Sequence, residues 1–218
     1  MKKSHAESLY SFRRALLQVH KPGRLRQAAL EDFRGTRVTD AWCIACPKDA
    51  GVVLRHAAED LREYFAVSMG VDIPVVTDPA PYAQAIRLAV DAALPPRTFR
   101  IHIREGIAVA GADERAAAQG CYALEDEMNL NEVPGLAPGE IVRTARFTPR
   151  MIHSGLGADL YPDEHLHAIA HAGMDAIIVG TGRALASPDA CHAVNDVIRR
   201  AASFGIDVYT FSFFKNER

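Results

Sequence analysis

The sequence lacks any long hydrophobic run, any strong charge bias and any secretion signal. Its apolar segments fall short of the ~20 residues that a membrane-spanning helix needs. Lys2 and Lys3 are followed by polar residues, where a signal peptide would have an apolar stretch. The net charge of −2 over 218 residues is too small to predict nucleic acid or a membrane as a partner. These absences predict a cytoplasmic location.

Cysteine is also scarce, with four residues in the chain. Cys43 and Cys46 have C-x-x-C spacing, but they lie in a strand-like apolar run, and no second such pair follows to complete a four-ligand zinc site. No helix begins at Cys43 to lower the pKa of its thiol. We therefore expect ordinary buried or half-buried thiols and predict no cofactor and no metal.

Apolar residues make up 49% of the chain, enough for a core, and the length fits one or two domains. Residues 1–35 hold eight basic and three acidic residues, which predicts a basic helical arm. Residues 36–132 are expected to form a small α/β domain and residues 133–147, rich in Pro and Gly, a linker. Residues 148–218 show a different pattern.

The small domain is predicted to be a mixed sheet with two helices on one face. An apolar stripe at helical spacing runs through residues 52–69, and a second helix is expected over 113–128. Residues 98–104 alternate between apolar and polar side chains, and a Glu-Gly turn leads into a returning strand at 107–110. His102 is expected on the solvent face of this hairpin.

After residue 148, short apolar strands alternate with helices. Strands are expected at 150–153, 176–179 and 207–211, with helices between them that end at Gly173 and Gly205. Two right-handed crossovers would make the three strands parallel. A complete (β/α)₈ barrel needs about 250 residues, so this segment is predicted to be the first three strands and two helices of an incomplete barrel.

The order of elements resembles the amino-terminal part of carbohydrate-active enzymes related to family 20 β-N-acetylhexosaminidases and family 67 α-glucuronidases. Residues 57–65 (AAEDLREYF) resemble the first helix of the small domain in these enzymes. Residues 107–113 and 118–124 resemble its last strand and helix, and residues 147–152 (FTPRMI) resemble the entry to the barrel. Met151 stands where the hexosaminidases have Gly after the arginine of strand one, which argues against a hexosaminidase substrate.

The resemblance implies a glycoside hydrolase fragment that is inactive alone and would bind carbohydrate once the barrel is completed. In the resembling families the catalytic carboxylates lie on later strands, so no catalytic residue is expected in this chain. The alternative is a non-catalytic module that binds carbohydrate or protein. Free barrel edges would also favour self-association.

Two residues are predicted to bind substrate. The resemblance implies that Arg150, with its five N–H donors, contacts sugar hydroxyls. The alternative is an arginine paired with a carboxylate at the linker. His153, at the end of the same strand, is predicted to line the mouth of the barrel, and the alternative is an ordinary loop histidine.

Two further clusters are given structural interpretations. Asp163 and Glu164 are expected in the first turn of a helix, where the helix dipole favours acids, whereas Asp159 precedes that turn. His165, His167 and His171 are interpreted as surface residues of this helix, although His167 and His171 share one face.

Overall fold

The computed structural model describes residues 18–153, 161–180 and 188–211. The chain divides into two compact units, one covering residues 20–147 and the other residues 148–218 together with 1–19. Residues 1–17 of the basic arm lie outside the described residues, so the first helix predicted for it stays a prediction. No helix in the described ranges is both long enough and apolar enough to cross a bilayer.

The first unit is a six-stranded mixed sheet with a separate two-stranded ribbon. Its elements are α1 (Gln27–Asp32), β1 (Thr36–Arg37), β2 (Trp42–Ala45), α2 (Val52–Tyr64), β3 (Val75–Val76), β4 (Gln84–Val90), β5 (Thr98–Ile103), β6 (Ile107–Gly111), α3 (Glu114–Asn131), β7 (Gly135–Leu136) and β8 (Gly139–Thr144). The strands of the large sheet lie in the order β3-β2-β4-β6-β5-β8. Pairing is parallel from β3 to β6 and antiparallel from β6 to β8.

The core of this unit lies between the sheet and two helices, as the sequence pattern predicts. The apolar side chains of the β5–β6 hairpin are buried, and α3 packs against both strands and against α2. A π-helical turn, Phe65–Met69, extends α2, and Gly70 then takes a left-handed conformation with φ 67°. His102 lies on the solvent side, 3.8 Å from the Glu140 carboxylate.

The linker prediction for residues 133–147 is wrong over much of its length. Strand β7 pairs with β1, and β8 pairs antiparallel with β5 as an edge strand of the sheet. Five of the six residues of β8 are exposed and the sixth is half-buried. A strand that is exposed on both faces needs no alternation of apolar and polar residues. Its sequence pattern is therefore hard to tell from that of a polar loop.

The two helices are joined at their amino ends by one carboxylate. Glu114, in the first turn of α3, accepts hydrogen bonds from the backbone N–H of Gly51 and of Leu54. These are N–H groups at the start of α2 that have no partner within the helix. A Cβ at position 51 would clash with the Glu114 carboxylate, so a larger residue there would displace this side chain from its present position.

Two carboxylates are buried beside these helices, and one of them belongs to α2. Asp60 is 6% exposed and Glu125, on α3, is 2% exposed. The Nε2 atom of His20 lies 3.6 Å from Asp60 and 3.3 Å from Glu125. The apolar stripe of α2 is wider than the pattern indicated, because Ala57 and Tyr64, one turn to either side of Asp60, are also buried.

Within its described residues, the second unit has three strands and two helices: β9 (Met151–His153), α4 (Asp163–His171), β10 (Ala176–Gly180), α5 (Pro188–Ser203) and β11 (Asp207–Phe211). Strand β10 pairs in parallel with β9 on one edge and with β11 on the other. Gly173 and Gly205 follow the helices with φ of 78° and 71°, which confirms them as helix ends.

The buried Glu125 predicts a pH dependence of stability. Burial raises the pKa of its carboxyl well above the usual range, and the Asp60 carboxylate raises it further. In the unfolded chain this pKa is about 4.3, so the folded chain holds a proton that the unfolded chain releases. The free energy of unfolding should therefore fall as the pH rises from about 4.3 toward the folded-state pKa.

Urea unfolding of Glu125→Gln at a series of pH values checks this. The variant has no proton to lose, so its stability relative to wild type should increase between pH 5 and pH 8. Glu105→Gln, an exposed position in the turn between β5 and β6, serves as the control and should follow the wild-type profile. A constant difference between Glu125→Gln and wild type across the range would contradict the prediction.

Candidate functional site at the carboxyl ends of the parallel strands

The register of the second unit brings three strand ends together. Ala176 lies opposite Met151 on one side and Asp207 on the other, so the amino ends of β9, β10 and β11 are level. At the other end Gly180 lies opposite Phe211. The carboxyl ends therefore lie along one edge of the sheet, and in parallel α/β sheets this edge carries the functional loops.

The two faces of this small sheet differ in burial. Ile177 lies opposite Ile152 and Val208, and it is fully buried. The next layer is Ile178 with His153 and Tyr209, and in it His153 is exposed and Tyr209 is 46% exposed. Right-handed crossovers, which parallel strands almost always have, would place both helices on one side of the sheet. We infer that they cover the Ile177 layer and that the His153 layer faces away from them.

His153 is the last residue of β9, and the structure places it where the sequence predicted, at the carboxyl end of strand one. Its direct neighbour across the sheet is Ile178, and Tyr209 lies one strand further on. An imidazole and an exposed aromatic ring on one face, about 10 Å apart, offer a hydrogen-bonding group and an apolar surface to the same ligand. This combination suits a ligand that has both hydroxyl groups and apolar C–H faces.

Arg150 lies at the opposite end of the sheet, immediately before β9. Its backbone N–H donates to one carboxylate oxygen of Asp175, and its Nε donates to the other at 3.3 Å. Asp175 precedes β10, so this pair joins the amino ends of two neighbouring strands. The position fits the alternative interpretation of an arginine paired with a carboxylate, and it does not support contact between Arg150 and sugar at the carboxyl ends.

Asp175 was missed by sequence reasoning, although it has three side-chain hydrogen bonds. Besides the two from Arg150 it accepts one from the Thr148 hydroxyl at 3.4 Å, and its side chain is 15% exposed. Its own backbone N–H donates to the Arg150 carbonyl. The available signal was an acid placed directly before a nearly all-apolar strand, with an arginine at the same position before the preceding strand.

A second group of contacts fixes the start of α4. The Tyr161 hydroxyl donates to the Ile178 carbonyl at 2.9 Å, and this buried tyrosine stacks on His165. Arg200 of α5 donates to the Tyr161 carbonyl at 2.6 Å and to Asp163 at 2.9 Å. The start of α4 is therefore bound to β10 through Tyr161 and to α5 through Arg200.

Among the acids that follow β9 in the sequence, those that the structure describes have structural roles. Asp163 and Glu164 lie in the first turn of α4, as predicted, and Asp163 pairs with Arg200. Asp159 lies outside the described residues. The last residues of the three strands are His153, Gly180 and Phe211, so among the described residues no carboxylate ends a strand.

Comparison with known proteins gives a likeness in structure alone. No protein-family model and no curated protein sequence matches the chain. Among solved structures, the GH20 β-N-acetylhexosaminidase from Streptomyces coelicolor matches with a TM-score of 0.64 and 16% identity, over 81% of this chain and 43% of that one. The fold is that of part of a glycoside hydrolase.

Other glycoside hydrolase families share the likeness. A GH138 enzyme described as targeting pectin rhamnogalacturonan II matches with a TM-score of 0.64 and 14% identity, over 78% of this chain and 31% of that one. A GH20 exo-β-N-acetylglucosaminidase from Vibrio harveyi matches with a TM-score of 0.60 and 12% identity, over 82% and 34%. The chain thus spans less than half the length of each, and the predicted fold class, a small α/β domain followed by the start of a (β/α)₈ barrel, is confirmed.

The contacts of Asp175 predict its importance for stability. Asp175→Ala removes the acceptor of three donors, and a lost hydrogen bond to a charged group costs about 1.5–3 kcal/mol. The free energy of unfolding should fall by at least this amount, and by more than in Arg150→Ala, which keeps the bond from its backbone N–H. Urea unfolding measures both.

Glu164→Ala is the matched control, because this acid is exposed in the first turn of α4. It should change stability by about 0.5 kcal/mol or less. If Asp175→Ala were as stable as Glu164→Ala, the carboxylate would not hold the two strand ends together.

Proposed function

We propose that this chain is the amino-terminal part of a carbohydrate-active, glycoside hydrolase-like protein. The observation that carries the proposal is the level, parallel register of β9, β10 and β11 directly after a small mixed-sheet unit. The glycoside hydrolases that match the chain supply its second support. The chain alone is proposed to be inactive, because glycoside cleavage requires a pair of carboxyl groups, or one with a substrate amide, beside the bond.

His153 is the residue that we assign to substrate in the completed protein. It lies at the carboxyl end of strand one, on the face with Tyr209, and is exposed. In this position the imidazole would donate to or accept from a sugar hydroxyl, while the tyrosine ring would lie against the C–H face of a sugar. Neither group is assigned a role in bond cleavage.

The test compares two proteins, the 218-residue chain and the product of a reading frame extended beyond codon 218. Both are assayed on a panel of nitrophenyl glycosides that includes β-N-acetylglucosaminide and α-glucuronide. We expect turnover from the extended protein and none from the chain alone. His153→Ala in the extended protein should raise KM about tenfold or more, whereas His192→Ala, an exposed position on α5, should not.

Turnover by the chain alone would contradict the proposed inactivity. A reading frame that ends at codon 218, together with carbohydrate binding by the chain alone, would replace the proposal by the non-catalytic module.

We further propose that the isolated chain self-associates through its parallel strands. Strand β11 is exposed along most of its length, and its side chains include Tyr209 and Phe211, which is 48% exposed. An exposed, partly apolar edge strand is a template for pairing with another chain.

Light scattering across a concentration series tests this association. The average mass should rise with concentration in wild type, and Tyr209→Lys should reduce the rise because it places a charge on the exposed face. Val142→Lys, at the edge strand of the other unit, is the control and should leave the rise unchanged. A monodisperse monomer at high concentration would contradict the proposal.

A further inference from the structure

The last turns of α4 bring two imidazoles together. His167 and His171 are four residues apart and therefore share one face of the helix. Their ring centroids are 4.6 Å apart and both side chains are half-buried, unlike the surface residues that the sequence predicted. Each offers a ring nitrogen as a metal ligand, and these nitrogens lie within 4.8 Å of each other.

The third histidine of the helix is held elsewhere. His165 stacks on the Tyr161 ring, with centroids 5.5 Å apart and the planes inclined by 16°. It lies two residues from His167, which places it on a different face of α4. The three histidines of this helix therefore form a pair, His167 and His171, and a separate residue. His165 serves as a matched control on the same helix.

We propose that His167 and His171 bind a borderline divalent cation, with Zn²⁺ as the physiological candidate. Two imidazole nitrogens at about 2.0–2.1 Å from a tetrahedral zinc ion lie roughly 3.4 Å apart. The two nitrogens now lie within 4.8 Å of each other and would move to that separation when the ion binds. Imidazole ligands select zinc, nickel and copper over magnesium and calcium, which prefer oxygen.

The surroundings of the pair also suit a cation. His171 is the last residue of α4, and the carboxyl end of a helix carries partial negative charge. The buried ring of Phe204 lies 6.2 Å from the His167 ring and covers one side of it. An apolar wall beside a metal ligand limits solvent access and restricts the orientation of the ring. This inference does not depend on the proposed glycoside hydrolase function.

Titration of the whole chain with Zn²⁺, followed by calorimetry and by thermal unfolding, tests the site. We expect saturable binding and a rise in Tm with Zn²⁺ but none with Mg²⁺. His167→Gln and His171→Gln should each weaken binding at least tenfold and abolish the rise in Tm. His165→Gln should bind as wild type does. Affinity should fall as the pH is lowered, because protons compete for the imidazole nitrogens.

A second measurement covers the case in which a variant fails to fold. Zn²⁺ should protect His167 and His171 of the wild-type chain from acylation by diethylpyrocarbonate, mapped by mass spectrometry, and leave the exposed His192 reactive. Absence of saturable Zn²⁺ binding by wild type would overturn the proposal. Equal binding by folded His167→Gln and His171→Gln, or equal modification of all these histidines with and without Zn²⁺, would do the same.

Discussion

Strand β10 is hydrogen-bonded along both edges, and both of its partners run in the same direction as it does. Parallel neighbours cannot be joined by a tight turn, so each connection must cross the sheet, and here each contains a helix. Because all three strands run in the same direction, their amino ends lie at one end of the sheet and their carboxyl ends at the other. At the amino end Asp175 joins two strands through Arg150, and at the carboxyl end His153 is exposed. In parallel barrels the first end serves stability and the second serves function.

Much of the fold could be predicted from sequence because its elements bury regular apolar faces. The three strands of the second unit are short and flanked by helices ending in glycine, and they form close to the expected residues. Strand β8 was not predictable, since nearly all of it is exposed and no period of two marks it. The burial of Asp60 and Glu125 was not predictable either, because aspartate and glutamate are rarely fully buried. Their helical neighbours Ala57 and Cys121, one turn away, are the signal that marked the buried face.

The candidate site was only partly predictable, for a related reason. His153 could be placed from sequence because strand direction alone fixes which end of β9 it occupies. Arg150 was also expected at the start of this strand, but its pairing with a carboxylate before the next strand could not be predicted from the residues around it. The partner of Arg150 lies 25 residues away, a distance that local periodicity does not span.

Nuclear Overhauser contacts between backbone protons of the labelled chain test most directly whether β9, β10 and β11 are parallel and level. The structure predicts contacts of Ala176 with Met151 and with Asp207, and of Gly180 with Phe211. Contacts between Ala176 and Phe211 in place of these would mean antiparallel strands. The start of a (β/α)₈ barrel, and with it the glycoside hydrolase interpretation, would then be contradicted.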